Sequence, residues 1–350
     1  MMDRSASFAE YAQRLKTFIE SSNADDAAFN RLALDLFALQ FESVEIYREL
    51  CRKRGVAPGA VEIWSDIPAL PTEAFKEFDV TSLPERERTA VFYSSGTTSE
   101  NRSRHFHCAD SLALYEASLL PWFVACFLPD SIEPRLMILT PPVEAAPNSS
   151  LARMFDTIAQ RLPWWAVETV GRVRDDGAWE IDAERAGAWL RGGERPVALL
   201  GTAYSFVHLF DSLGRTPLPE GSRVLETGGY KGRSREMPKA ALRQLISRRL
   251  AIPNARIVSE YGMSELSSQA YERDGVFRFP HWARARVISP ETGRAVEEGA
   301  TGLLRVFDLA NARSVLAIQT GDLAARRGDG FELLGRAEAM EPRGCSLMLA

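Results

Sequence analysis

Between residues 90 and 265, short apolar runs alternate with amphipathic stretches, and this rhythm narrows the possible folds more than any other feature of the chain. Leu136-Met137-Ile138-Leu139, Val197-Ala198-Leu199-Leu200, Arg223-Val224-Leu225-Glu226 and Arg256-Ile257-Val258 read as strands. Each is followed by Gly, Pro, Ser or Thr, and most then lead into a helical segment. That pattern predicts an α/β domain with parallel strands. In such sheets ligands sit beyond the carboxyl ends of the strands, so the loops that follow the strands carry the interest.

The flanks differ. Phe8, Tyr11, Leu15, Phe18 and Ile19 recur at helix spacing, as do Leu32, Leu36, Leu39, Val44, Tyr47 and Leu50. Gly55 and Pro58-Gly59 stop this helical segment. From residue 281 the texture becomes β-rich. Strands are expected at 283–288, 302–307, 315–318 and 331–334, with turns at Pro290-Glu291-Thr292-Gly293 and Gly328-Asp329-Gly330. The expected division is a helical segment over 1–65, an α/β core over 66–280, a β-rich sub-domain over 281–340 and a tail over 341–350.

A formal charge of −5 on 350 residues gives no general pull toward nucleic acid or acidic membranes, though it leaves room for a local basic pocket. Leu119 to Leu128 is the most apolar stretch, but Pro121 interrupts it and it is too short to span a bilayer. The N-terminus has no signal pattern. The four cysteines, Cys51, Cys108, Cys126 and Cys345, show no metal-ligand spacing. A cytoplasmic protein with reduced thiols, binding no nucleic acid and spanning no membrane, is the expectation.

Four segments carry chemistry. Ala90-Val91-Phe92-Tyr93 reads as a buried strand feeding Ser94-Ser95-Gly96-Thr97-Thr98, whose N–H and O–H donors suit the phosphates of a nucleotide. Glu226-Thr227-Gly228-Gly229-Tyr230-Lys231-Gly232 places paired glycines after a strand, where backbone can approach a flat group and Tyr230 can stack on it. Ser259-Glu260-Tyr261-Gly262-Met263-Ser264-Glu265 precedes an expected helix; a carboxylate there can hold Mg²⁺, with Ser264 bonding a phosphate. Thr320-Gly321-Asp322-Leu323, followed by Leu334-Gly335-Arg336, offers an aspartate for ribose hydroxyls and an arginine for phosphate or ribose oxygens. Each segment alone also fits ordinary turn or capping chemistry. His105 and His107 alternate, so on a strand they share a face; with no third ligand near, zinc is not expected. His105 stands where the phosphate loop ends and is a candidate to touch substrate or phosphate.

Taken in order, the four segments resemble the ANL adenylate-forming superfamily from residue 66 to the C-terminus. The resemblance implies that Ser94, Ser95, Gly96, Thr97 and Thr98 form the phosphate loop, and that Gly228, Gly229 and Tyr230 line the adenine site. It implies that Tyr261, Gly262 and Ser264 belong to the nucleotide site, with Glu265 as the metal ligand, Asp322 on the ribose and Arg336 beside it. Within the superfamily the chain is similar to the acyl-protein synthetase (LuxE/PaaK-like) group through Leu70-Pro71 with Phe75-Lys76, the Gly228–Gly232 loop and the tail Arg343-Gly344-Cys345-Ser346-Leu347. The implied fold is an adenylate-forming α/β core lacking the usual C-terminal domain. The implied cofactors are ATP and Mg²⁺.

Two departures from the superfamily pattern add expectations. The phosphate loop continues as Ser99-Glu100-Asn101-Arg102-Ser103-Arg104-His105, where Arg102 and Arg104 can supply the positive charge of an absent lysine. In place of the lysine on the superfamily's C-terminal domain, Lys231 is expected to bridge carboxylate and α-phosphate oxygens. The resemblance further makes Cys345 the acceptor of the activated acyl group, which then passes to a partner protein, a reductase or a carrier protein. The acyl pocket is expected near Trp164-Trp165 and Ala203-Tyr204-Ser205-Phe206. Two alternatives stay open: an acid–CoA ligase releasing a free thioester, and a non-catalytic scaffold of the same fold.

Overall fold

The α/β rhythm is realised in a computed structural model, which describes residues 4–21, 25–94, 102–130, 132–228 and 237–337. In chain order the helices are α1 (Arg4–Glu20), α2 (Asp26–Ser43), α3 (Glu45–Lys53), α4 (Ala74–Glu77), α5 (Ala109–Phe127), α6 (Ser150–Arg161), α7 (Ala183–Arg191), α8 (Ala203–Ser212) and α9 (Lys239–Leu250). The strands run from β1 (Leu70–Pro71), β2 (Ala90–Tyr93), β3 (Arg104–His107) and β4 (Arg135–Ile138) through β5 (Val167–Thr169), β6 (Gly171–Val173), β7 (Trp179–Ile181) and β8 (Val197–Thr202). They continue with β9 (Arg223–Thr227), β10 (Ile257–Tyr261), β11 (Ala270–Arg273), β12 (Val276–Arg278), β13 (Ala283–Ile288), β14 (Thr301–Asp308), β15 (Ala317–Arg327) and β16 (Gly330–Arg336).

The chain forms two compact units. The first takes Met1–Leu119, Met263–Ala270 and Gly275–Ala350; the second takes Leu120–Gly262 and Tyr271–Asp274. The N-terminal helices, residues 66–119 and the β-rich segment thus share one unit, a grouping that differs from the division read along the sequence.

The second unit holds the parallel sheet. Its strands run in the order β11–β10–β9–β8–β4–β5, with β10, β9, β8, β4 and β5 pairing in parallel. Every residue of β4, β8 and β9 is buried. A strand covered on both faces has no solvent side to mark, so it reads as a continuous apolar run rather than an alternating one. Leu199 and Val224 pack with Phe206, Leu209, Ile246 and Leu250 in this core. Helix α8 starts at a reciprocal cap: the Thr202 side chain accepts from the Ser205 N–H, and the Ser205 hydroxyl accepts from the Thr202 N–H.

In the first unit the antiparallel order is β13–β14–β15–β16–β12, with β1 parallel to β15. The helical segment is tied to this sheet by buried polar bonds. The Tyr11 hydroxyl donates to the Leu309 carbonyl at 2.8 Å. Gln40 donates to the Asn311 carbonyl at 2.8 Å and accepts from the Leu316 N–H at 2.9 Å. Ala90–Tyr93 corrects an expectation: it pairs antiparallel with β3 as a two-stranded ribbon. Phe92 is buried, but Tyr93 is exposed, because a ribbon covers one face only.

Candidate active site

In the first unit the chain crosses from Met263 to Gln269 without helix or strand, and Glu265 sits in this crossing, 4% exposed. The Ser264 hydroxyl donates to Glu265 Oε2 at 2.8 Å. The backbone on both sides is held by distant residues. His105 Nδ1 donates to the Ser264 carbonyl at 2.8 Å, and Asn311 Nδ2 donates to the Glu265 carbonyl at 2.9 Å. Asp308 accepts from the N–H groups of Ser267 at 2.9 Å and Ser268 at 2.8 Å, from the Ser268 hydroxyl at 2.6 Å and from the Ala310 N–H at 3.0 Å. The expected helix after Glu265 is therefore absent here. Two N–H groups that would start it are spent on Asp308 instead. Burial pushes the Asp308 carboxyl up from its ordinary range, and these donors pull it back.

His105, expected to touch substrate or phosphate, is 2% exposed with its Nδ1 proton committed to a carbonyl. Burial pushes its pKa down to about 4, against the opposing Ser264 bond, so the ring is neutral at physiological pH. It shares the buried face with His107, ring centroids 4.3 Å apart, as the alternation predicts.

Ser94, just past the end of β2, pairs with Ser103, just before β3. Its N–H donates to the Ser103 carbonyl at 3.1 Å, and its hydroxyl accepts from the Ser103 N–H at 2.9 Å. Ser95, Gly96, Thr97 and Thr98 lie outside the described residues. Arg104 pairs with Asp79 at 3.0 Å, so part of its charge is committed there. Asp322 and Arg336 face each other across β15 and β16, with Nε to Oδ1 at 3.4 Å. Asp322 is 9% exposed, whereas Arg336 is open to solvent. The TGD segment is thus strand rather than turn, and two residues 14 positions apart in sequence meet by register.

In the second unit, Tyr261 ends β10 and Gly228 directly follows the adjacent β9, each one step past the paired Thr227 and Glu260. Gly228 has φ +70°, a conformation that favours glycine. Tyr261 is buried, and Gly262 follows it exposed. Gly229, Tyr230, Lys231 and Cys345 lie outside the described residues. Sequence reasoning gave no role to three buried carboxylates around these strand ends. Glu226 accepts from the Ser259 hydroxyl, Glu260 accepts from the Thr227 hydroxyl, and Glu272 pairs with Lys239 and with Arg243, the latter at 3.0 Å. Burial pushes Glu260 up to about 7, opposed by the Thr227 hydroxyl and reinforced by the Glu226 charge.

Of the residues expected around an acyl pocket, Phe206 is in the core of the second unit, while Trp165 is 60% exposed beneath the Arg195 guanidinium. Burial raises the thiols of Cys51 and Cys126 to about 11, which keeps both protonated, and Cys108 is half-buried. Among the described residues no group of three or more His, Cys, Asp or Glu side chains could hold a metal ion. Magnesium commonly needs only one or two carboxylates, its remaining ligands being phosphate oxygens and waters. The oxygen chemistry of Glu265, with one carboxylate oxygen taken by Ser264, fits such a role. Among the described residues no helix is long and apolar enough to cross a membrane.

No family model matches the chain. It is similar to the long-chain-fatty-acid–luciferin-component ligases of Vibrio harveyi, 22% identical over 344 residues, and of Aliivibrio fischeri, 22% identical over 343; both alignments cover 92% of this chain and 87% of the relative. Among solved structures, a 2-hydroxyisobutyryl-CoA ligase with 2-HIB-AMP and CoA aligns at TM-score 0.64 and 16% identity, covering 89% of this chain and 70% of that one. The chain spans half the length of ATP-bound MatB from Rhodopseudomonas palustris, aligned at TM-score 0.49 and 16% identity with 74% of this chain covered. The fold is that of the adenylate-forming enzymes, and the similarity to named ligases makes the chain an acid-activating ligase. Within the class, its similarity to the luciferin-component ligases extends over nearly its whole length.

Proposed function

We propose that this ligase activates a fatty or aryl carboxylic acid with ATP, holds the acyl group on Cys345 and passes it to a partner protein, a reductase or a carrier protein. In the first half-reaction a carboxylate oxygen bonds to the α-phosphorus, and the bond from that phosphorus to the bridging oxygen breaks, releasing pyrophosphate. In the second, the Cys345 thiolate attacks the acyl carbon, AMP leaves with the oxygen it carried, and a thioester remains. The thiol proton goes to solvent or a nearby base.

The observation that carries the reading is the buried Glu265 in a crossing whose backbone is held on both sides, within a chain similar along 92% of its length to fatty-acid ligases. Bound at Glu265, Mg²⁺ would offset the negative charge that gathers on the phosphates. The Ser264 hydroxyl turns the Glu265 carboxylate. Asp322 takes the ribose hydroxyls, and Arg336 stands beside it to meet ribose or phosphate oxygens. Ser94, with Ser95, Gly96, Thr97 and Thr98, receives the phosphates. Gly228, Gly229, Tyr230 and Tyr261 receive the adenine, and Lys231 bridges carboxylate and α-phosphate. His105 acts here through the Ser264 carbonyl.

Intact-protein mass spectrometry after incubation with Mg-ATP and pooled carboxylic acids tests the reading. A hydroxylamine-labile acyl adduct on the wild type and none on Cys345→Ala is expected. Free acyl-CoA formed on adding CoA, with no adduct on either protein, would replace it with the CoA-ligase reading.

A further inference from the structure

The crossing that carries Glu265 has no regular backbone hydrogen bonding to set its direction. Besides the His105 bond to the Ser264 carbonyl, most of what sets it comes from the end of β14 and the turn that leads to β15, 41 residues on from Ser267 at Asp308 and 46 on from Glu265 at Asn311. That turn is an apolar place. Phe307, Leu309, Ala310 and Ala312 are all 3% exposed or less, yet Asp308 and Asn311 lie among them at 0% and 1%. Burying a carboxylate and an amide there is costly unless each polar atom finds a partner. They do find partners, and most of these belong to the crossing. Asp308 takes two of its N–H groups and one of its hydroxyls. Asn311 donates to the carbonyls of Glu265 at 2.9 Å and Val315 at 3.3 Å, and accepts from the Ser267 hydroxyl at 2.7 Å. A fully satisfied buried network of this kind selects one backbone conformation.

We propose that Asp308 and Asn311 are positioning residues for the cation site: they fix the Met263–Gln269 crossing so that the Glu265 carboxylate is already oriented when a magnesium–nucleotide arrives. The inference rests on the nucleotide chemistry proposed above. It assigns to this turn a task beyond joining two strands. A pre-set carboxylate does not have to be ordered at the cost of binding energy, so the clamp acts on cation affinity rather than on the intrinsic rate at saturating cation.

The test titrates Mg²⁺ against full-length protein in fixed α,β-methylene-ATP and reads the melting temperature. Wild type, Asn311→Ala and Ser267→Ala are compared, together with the Mg²⁺ dependence of acid-driven pyrophosphate release. Asn311→Ala should raise the half-saturating Mg²⁺ about three- to tenfold, the weight of one well-placed hydrogen bond, and Ser267→Ala should raise it less. The metal-free nucleotide shift and kcat at saturating Mg²⁺ should stay near wild type. Lowered melting temperatures with unchanged half-saturating Mg²⁺ would overturn the proposal and leave the turn a scaffold. If Asn311→Ala fails to fold, Ser267→Ala decides by the same criterion. A wild type with no nucleotide-linked shift at all, with or without Mg²⁺, would overturn the nucleotide reading itself and the clamp with it.

Discussion

Asp308 in the first unit and Glu260 in the second are both buried carboxylates at the ends of strands, and each is accommodated by a different means. Asp308 is surrounded by donors: three N–H groups and a hydroxyl converge on it. Glu260 has the Thr227 hydroxyl and, nearby, the like charge of Glu226. The donors around Asp308 offset part of the cost of burying its carboxyl, which burial still holds above the ordinary range, and in doing so fix a loop. Glu260 meets its burial by holding a proton up to about pH 7. Donors make a rigid attachment, whereas a retained proton makes one that responds to pH.

Removing the donors' target should have the largest effect. Asp308→Ala strands three N–H groups and a hydroxyl in the core. Calorimetry should show a melting temperature lower by about 5–10 °C, from a cost on the order of 3 kcal/mol. A loss of only a degree or two would mean that the crossing holds itself.

Glu260→Gln should act in the opposite direction. The native carboxyl titrates at about 7, above the ordinary 4.5, so the folded state keeps a proton that the unfolded chain has released. Wild-type stability therefore falls as pH rises from 4.5 through 7. The glutamine variant should melt several degrees higher than wild type at pH 8, a gain on the order of 2 kcal/mol, and show little gain at pH 5. A difference independent of pH would break the contrast with Asp308.

His105→Asn should be the mildest, because asparagine can offer a donor near the place of Nδ1. The native imidazole titrates at about 4 and the unfolded one at 6.5, so its contribution is present above 6.5 and lost as pH falls toward 4. The variant should show a shallower loss of stability across that window, with neutral-pH nucleotide binding kept. An unchanged acid slope would place the titration elsewhere.

The sequence carried the strands well. The expected 90–93 and 283–288 coincide with β2 and β13, and the parallel strands fall within a few residues of their places because buried apolar runs are distinctive. It could not separate a ribbon strand from a sheet strand, since Ala90–Tyr93 is as apolar as β4 over a similar length. Glu265, Asp322 and Arg336 stood out in the sequence through their motifs, although the structure sets Glu265 in a crossing, Asp322 in the middle of β15 and only Arg336 at a strand end. Asp308 and Asn311 did not stand out, because their partners lie some forty residues away and arrive only on folding. The one signal they left is a pair of polar residues inside Val306-Phe307-Asp308-Leu309-Ala310-Asn311-Ala312, where the surrounding residues are apolar.

The central claim, that this chain forms an acyl-adenylate with Glu265 at the cation, is tested most directly by acid-dependent exchange of labelled pyrophosphate into ATP. Wild type should exchange with at least one acid of a fatty and aryl panel, and Glu265→Gln should lose about a hundredfold or more at equal Mg²⁺. Exchange that is absent with every acid, or that survives Glu265→Gln undiminished, would contradict the account.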